Sequence, residues 1–257
     1  MVNHKLLLGK LKACGLSTNS IKWFNSYLSN RYQYVSVNGV SSATTIIDRG
    51  VPQGSVLGPL LFIIFINDLP KSIKNASTNI FADDTTLIKS NHYSDVSSIE
   101  RILQEDTSNL NSWANKNLMV LSSTKSKTML ITGKRIAKKL VNSSTLLCVH
   151  INGIMLEQVS HQKLLGIILD EDLSFSNHID KLCSKLAKRI SLLKKWRYYL
   201  PLDERIAFYN ATVKSAMMFC SCVWSNTTKD NLHQITKLEK RAARVILDAS
   251  TDRKSVV

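Results

Sequence analysis

No apolar run in this 257-residue chain is long enough to span a membrane, and the longest, Leu60 to Ile66, reads as a buried segment. The N-terminus shows no long apolar core with a small-residue cleavage site, so no secretory leader is expected. The five cysteines are scattered and odd in number, which argues against a disulfide framework and for reduced thiols inside a cell, with nucleus and cytoplasm both open. Cys220-Ser221-Cys222 is the one close pair, and it lacks a matching Cys or His pair at zinc spacing, so buried helix cysteines are expected there. Acids are scarce as well: 19 Asp plus Glu face 34 Lys plus Arg, a net charge of +15. Such a surface attracts polyanions, nucleic acid first, through salt-sensitive phosphate contacts. No amphipathic anchor helix is evident, so an anionic membrane ranks below nucleic acid. Internal repeats and long low-complexity linkers are also missing.

What is present is a chain 44% hydrophobic, enough to bury one large domain or two smaller ones. Helical spacing is expected over Asn3 to Ala13, ended by Gly15, and over a second helix capped by Ser17 or Thr18 with Ile21, Trp23, Phe24, Tyr27 and Leu28 on its apolar side. Those aromatics fit a core, and a Trp or Tyr there also fits support of a stacked base. Tyr34 to Val37 and Thr44 to Ile47 flank Asn38-Gly39 as a hairpin. A glycine- and proline-rich loop, Arg49 to Pro59, leads into an apolar helix that tolerates Pro59 in its first turn. Asp95 is positioned to cap a helix carrying Val96, Ile99, Ile102, Leu103, Leu110 and Trp113. Leu118 to Leu121 and Thr128 to Ile131 read as short strands, Lys134 to Lys139 as a basic loop, and Leu146 to Leu156 as a hairpin about Asn152-Gly153.

From Ile179 the pattern changes to helices. A stripe of Ile179, Leu182, Cys183, Leu186, Ile190 and Leu193 runs to a break at Pro201. A second helix is expected from about Leu202 through Met217 towards Trp224, and a third over Leu232 to Leu247. Between His178 and Asp248 stand 14 Lys plus Arg against six Asp plus Glu, so this part is basic in its own right. The change of pattern places a domain boundary at about Phe175 to Ile179.

The stretch with most chemical content is Ile80-Phe81-Ala82-Asp83-Asp84-Thr85-Thr86-Leu87-Ile88. Two adjacent acids lie between short β-prone runs, the pattern of a tight hairpin with carboxylates at its tip. Hard cations such as Mg²⁺ take one or two such carboxylates together with water and substrate phosphates. An acidic pair at an exposed turn is also ordinary turn chemistry, and for these residues alone that reading is favoured.

Taken together, Arg49-Gly50-Val51-Pro52-Gln53-Gly54-Ser55, the helix after it, and Phe81-Ala82-Asp83-Asp84 resemble the reverse transcriptases of non-LTR (LINE-type) retrotransposons. The first matches the palm motif lettered B and the second the Tyr/Phe-x-Asp-Asp motif lettered C. The resemblance runs from about Val2 to Asp248 and implies an α+β fold: a partial right-hand polymerase palm, an antiparallel sheet with packed helices, over 1–177, then an all-helical thumb over 178–257. It implies Asp83 and Asp84 as catalytic, Mg²⁺-binding residues, in a site that holds two ions in the intact family. Gln53 and Gly54 would touch the template base or incoming nucleotide. Lys127, in a stretch similar to motif D, would protonate or neutralise the departing pyrophosphate, although an ordinary solvated lysine reads equally well. Leu164-Leu165-Gly166-Ile167-Ile168-Leu169-Asp170 is similar to a hairpin that contacts the primer in the family. The implied partners are an RNA template, an RNA/DNA or DNA duplex, and deoxynucleotides.

One departure qualifies the resemblance. The family's motif A phrase carries a third metal-binding aspartate before an Asn-His-Lys-Leu-Leu tail, and this sequence begins at that tail, Asn3-His4-Lys5-Leu6-Leu7, so the aspartate would fall before Met1. Asp48 and Asp68 occupy other motif positions, where turn or helix-end roles are expected. The expectation is an N-terminally truncated polymerase in which catalysis by the chain alone is lost or very weak, with a non-catalytic nucleic-acid-binding fragment or a decayed element remnant as alternatives.

Overall fold

A computed structural model describes residues 2–140 and 146–249, and the chain divides into two compact units, Met1–Thr128 with Thr145–Gln158, and Met129–Ser144 with Val159–Val257. In chain order the first unit has helices α1 (His4–Ala13) and α2 (Thr18–Leu28), strands β1 (Arg31–Gln33), β2 (Ser36–Val37), β3 (Val40–Ser41) and β4 (Thr45–Ile47), and helix α3 (Leu57–Ile66). A 3₁₀ turn (Leu69–Ser72), strands β5 (Ser77–Phe81) and β6 (Asp84–Ile88), helix α4 (Val96–Lys116) and strand β7 (Lys127–Thr128) follow. The second unit's short helix α5 (Gly133–Ala137) intervenes before β8 (His150–Ile151), β9 (Ile154–Met155) and β10 (Glu157–Gln158) return to the first unit. The second unit then continues with β11 (His161–Leu164), β12 (Ile167–Asp170), α6 (Ser176–Trp196), α7 (Leu202–Phe208), a π-helical stretch (Tyr209–Lys214), α8 (Ser215–Met218), α9 (Ser221–Trp224) and α10 (Lys229–Leu247). The mixture of helices and small sheets agrees with the α+β expectation. Strands meet only two at a time among the described residues. No described helix is long and apolar enough to cross a membrane.

Local chemistry accounts for many of the boundaries. Asn3 caps α1 by accepting the Leu6 N–H at 3.0 Å, Ser17 caps α2 through Ser20 N at 3.2 Å, and Asp95 caps α4 through Ser98 N at 3.3 Å. The two Asn-Gly pairs make two-residue hairpin turns, with φ of 51° and 82° at Asn38 and Gly39 and 51° and 79° at Asn152 and Gly153. Leu165 and Gly166 adopt the same left-handed pair, with φ of 47° and 93°, between β11 and β12.

Elsewhere tertiary packing overrides the sequence reading. Thr45–Ile47 pairs with Arg31–Gln33, not with the residues after Tyr34, because the Asn38-Gly39 turn closes only the short β2–β3 pair. Leu118 to Leu121 is irregular and not a strand, as Leu118 takes φ 55° and the Met119 N–H bonds back to Ala114 at the end of α4. The strand expected at Thr128 to Ile131 is reduced to Lys127–Thr128, running parallel to Glu157–Gln158. The expected basic loop at Lys134 to Lys139 begins as helix α5. The helix expected from Leu202 towards Trp224 widens into a π-helical segment and breaks at Cys220, where φ is 48°.

The core of the first unit joins Leu7 and Leu11 of α1, Leu28 of α2, Leu61 and Phe65 of α3, and Leu110, Trp113 and Ala114 of α4. Each fully buried leucine or phenylalanine contributes about 1.5–3 kcal/mol. The other side of α4 holds the β8–β9 hairpin: Glu100 accepts Cys148 N at 2.9 Å and Gln104 accepts His150 N at 2.7 Å.

In the second unit the expected stripe of Ile179, Leu182, Leu186, Ile190 and Leu193 is buried against Val213, Met217, Trp224 and the inner face of α10. Ile167 and Phe175 belong to the same cluster. The compact helical unit therefore takes in β11 and β12, ahead of the change in composition near Phe175 to Ile179. Thr227 donates to the Ser174 carbonyl at 2.6 Å and Asn231 to Ser176 Oγ at 3.2 Å, tying the turn before α6 to the start of α10.

Candidate active site

The β5–β6 hairpin starts from an apolar footing and ends in charge. Ile80 and Leu87 pack against the core of the first unit, while Phe81 closes the hairpin opposite Asp84. The reversal needs only Ala82 and Asp83, with Ala82 at φ 51°. Both carboxylates lie at the exposed tip, as the sequence led one to expect, beside a Phe81 ring that is 64% exposed. Among the described residues neither side-chain carboxylate accepts a hydrogen bond or joins an ion pair.

The hairpin is fixed at its root by Asp106, a residue the sequence reading passed over. This fully buried carboxylate accepts backbone N–H groups from Lys74 at 3.0 Å, Asn75 at 2.9 Å and Ala76 at 2.7 Å, the three residues that lead into β5. Burial pushes its pKa up, yet the three backbone donors outweigh burial and hold it below the usual carboxylate value. A signal was there: Asp106 interrupts an otherwise apolar stripe formed by Ile102, Leu103 and Leu110 on α4.

The loop before α3 has an equally specific scaffold. Ser55 Oγ donates to the Pro52 carbonyl at 2.7 Å and accepts the Gly58 N–H at 3.0 Å, so one hydroxyl shapes the turn and caps the helix. Gly58 is buried where a Cβ would stand 2.7 Å from the Pro52 oxygen, which explains glycine at this point. Gln53 and Gly54, the expected template or nucleotide contacts, are exposed at the loop's apex, with Gly54 at φ 77°. At the loop's base, Gly50 donates to the Val2 carbonyl and accepts from His4 Nε2, both at 2.7 Å.

Two acids singled out in the sequence divide as expected for structural roles. Asp68 takes the Lys10 ammonium at 2.7 Å and the Trp113 indole N–H at 3.2 Å, while Lys10 also donates to the Phe65 carbonyl at 2.6 Å at the end of α3. Asp48 pairs with its exposed neighbour Arg49 at 3.7 Å. Lys127, the expected acid for pyrophosphate, forms an ion pair with Glu157 beside the β7–β10 pairing.

The carboxylate pair has the right donor chemistry for Mg²⁺, which commonly keeps several waters and takes only one or two protein carboxylates beside substrate phosphates. Among the described residues no group of three His, Cys, Asp or Glu side chains is assembled, so no third acid joins the pair.

In the second unit, Lys181, Lys185, Lys188 and Lys195 recur at helical intervals along one side of α6, a line about 21 Å long at 1.5 Å per residue. The first three share an open surface of the helix with Asp180, Ser184 and Arg189. None of the four lysines is in an ion pair among the described residues. Burial holds the His178 imidazole below its ordinary pKa, and its Nδ1 faces the Ile168 N–H at 3.5 Å.

Comparison with known proteins adds the following. The family model described as reverse transcriptase (RNA-dependent DNA polymerase) matches residues 1–169. The chain is 29% identical over 233 residues to a probable RNA-directed DNA polymerase from transposon BS of Drosophila melanogaster, covering 87% of this chain and 25% of that protein. It is 29% identical over 261 residues to the RNA-directed DNA polymerase from mobile element jockey of Drosophila funebris, covering 96% of this chain and 27% of the relative. A Pol polyprotein from a type-1 retrotransposable element R1 of Bradysia coprophila is 25% identical over 233 residues, covering 89% and 22%. The chain thus spans about a quarter of the length of these curated relatives.

Proposed function

The chain belongs to the reverse transcriptase (RNA-dependent DNA polymerase) family, in its non-LTR retrotransposon branch, and from that premise we propose that 1–177 is the later part of a polymerase palm and 178–257 a helical thumb. The last eight residues of that span lie outside the described residues. The proposed reaction is template-directed: the primer 3′-hydroxyl attacks the α-phosphate of a deoxynucleotide, a phosphodiester bond forms, and the bond to pyrophosphate breaks. The observation that carries this reading is the hairpin tip, where Asp83 and Asp84 stand exposed and unpaired among the described residues on a root held by Asp106.

In this reading Asp83 and Asp84 hold Mg²⁺. When bound, the metal supplies positive charge at the attacking and leaving oxygens. Gln53 and Gly54 contact the template base or the incoming nucleotide from the apex of a loop that Ser55 and Gly58 keep in shape. Lys127 is the group offered to the leaving pyrophosphate, a role that requires it to exchange Glu157 for phosphate. The RNA template and its RNA/DNA or DNA duplex are held through phosphates by the lysine line of α6.

Among the described residues no third acid joins the pair, and two acids alone give weak charge placement, so the chain alone is expected to show little or no synthesis. Primer extension on a poly-RNA template with Mg²⁺ and deoxynucleotides tests this, and robust incorporation overturns it. The metal assignment has its own readout: Mn²⁺, standing in for Mg²⁺, should broaden NMR signals around Ala82 in the native chain and not in a variant carrying Asp83→Asn and Asp84→Asn. Unchanged broadening in that variant removes the assignment.

A second reading, a nucleic-acid-binding module without catalysis, is favoured by the lysine line of α6. It expects salt-dependent duplex binding that survives Asp83→Ala.

A further inference from the structure

The first unit carries an aromatic column in which Trp23 is exposed and Tyr27 half-buried against the core, and the polymerase roles above leave it unused. On α2, Trp23 lies parallel to Tyr27, with ring centroids 5.5 Å apart and an interplanar angle of 7°. The Arg31 guanidinium stands 5.8 Å from the same Tyr27 ring, so Trp23, Tyr27 and Arg31 follow one another at four-residue intervals. Phe24 meets the Trp23 ring edge-on at 5.0 Å, so the indole is held by two neighbours and still 55% exposed.

A tryptophan that only completes a core is covered, as Trp113 and Trp224 are in this chain. Trp23 is instead oriented by its neighbours and left open to solvent, the condition for stacking on a planar ligand at little cost in side-chain order. Tyr32 and Tyr34, which follow Arg31 in sequence, are 60% and 62% exposed.

Charge identifies the ligand. The first 47 residues contain Lys5, Lys10, Lys12, Lys22 and Arg31 and no Asp or Glu at all. Only Lys10 among these is engaged by an acid, Asp68, among the described residues. An open indole next in sequence to Lys22, with Arg31 at the ring stacked on it, has the composition of a single-strand nucleic-acid surface, where bases stack on aromatics and phosphates meet cations. A duplex keeps its bases stacked on one another and offers no free face to an indole. The surplus of uncompensated lysine favours a nucleic acid over a protein partner, whose interface core is depleted of such charge.

We infer that Trp23 and Tyr27 of α2, with Arg31 at the start of β1, form a binding site for single-stranded nucleic acid, with one base stacked on Trp23 and the adjoining phosphates met by Lys22 and Arg31. The site does not depend on the acidic hairpin or on the polymerase reading. A single strand arriving here is recognised by its base faces and backbone, so sequence preference is slight.

The test uses the full chain and a short fluorescent oligouridine, read by anisotropy, beside an RNA/DNA duplex of similar length. Trp23→Ala should weaken oligouridine binding roughly tenfold or more, the loss of one stacked base, and leave the duplex affinity unchanged. Trp23→Phe should retain most of the affinity, and Arg31→Ala should weaken it and flatten its salt dependence. In the unaltered chain, photocrosslinking of an oligonucleotide containing 5-iodouracil should attach within 22–34, a readout that needs no variant to fold. Crosslinking elsewhere, equal oligouridine affinity in Trp23→Ala, equal loss of duplex binding, or no single-strand binding at all would each overturn the inference. So would sedimentation showing that Trp23→Ala dissociates a dimer, which would assign the column to a second copy of the chain.

Discussion

The carboxylate of Asp106 accepts the backbone N–H of Ala76 at 2.7 Å, and through that bond and its two neighbours helix α4 holds the strand that ends in Phe81 and the acidic pair. The entry to the hairpin is thus fixed by a residue thirty positions away in sequence. Removing this anchor strands three backbone donors. Asp106→Ala should destabilise the first unit by about 3 kcal/mol, measured by urea unfolding. Asp106→Asn should cost somewhat less, because one amide oxygen still accepts.

Acid should act on the same carboxylate. Its pKa is lowered in the folded chain, so its contribution is fully present above the unfolded value near 3.8 and is lost as pH falls through the folded value. His178 acts in a different window. Burial lowers its pKa below 6.5, so the unfolded chain binds the proton first and stability begins to fall as pH drops through that value. Unfolding free energy followed from pH 7 to pH 3 should therefore show an early loss that His178→Gln removes, and a later loss that Asp106→Asn removes.

Two glycines should respond in opposite senses to alanine. Gly58→Ala places a methyl 2.7 Å from the Pro52 carbonyl and should cost about 1–3 kcal/mol while disturbing the Gln53-Gly54 apex. Gly9 lies inside α1 with nothing within 4 Å of its would-be Cβ, so Gly9→Ala should stabilise by about 0.5–1 kcal/mol. Thermal unfolding of the two variants side by side checks both signs.

Lys10 joins α1 to the end of α3 through Asp68 and the Phe65 carbonyl, and its ammonium stands 4.6 Å from the Phe65 ring centroid. Lys10→Met keeps the stem and removes the donors. It should cost about 1–3 kcal/mol, read by thermal or urea unfolding.

The lysine line of α6 should be visible in the salt dependence of duplex binding. Changing Lys181, Lys185, Lys188 and Lys195 to Gln should reduce the slope of log affinity against log salt by about 0.9 for each phosphate no longer neutralised. An unchanged slope would remove α6 from the duplex surface.

By itself the amino-acid sequence determined the features whose physics is confined to neighbouring residues. The Asn-Gly turns at 38–39 and 152–153, the Ser17 and Asp95 caps, the apolar stripe from Ile179 to Leu193, and the two-residue tip that exposes Asp83 and Asp84 all follow from local backbone preference and periodicity. The motif resemblance to reverse transcriptases was equally legible, because the residues that carry it lie in two short contiguous stretches. Only the tertiary structure decided that Thr45–Ile47 pairs with Arg31–Gln33, that Lys127 meets Glu157, that β11 and β12 share a core with the helices after them, and that Asp106 is the hairpin's anchor. Those outcomes depend on which distant groups packing brings together. A buried carboxylate or a two-residue strand takes its place from partners tens of residues away, and no local preference encodes them.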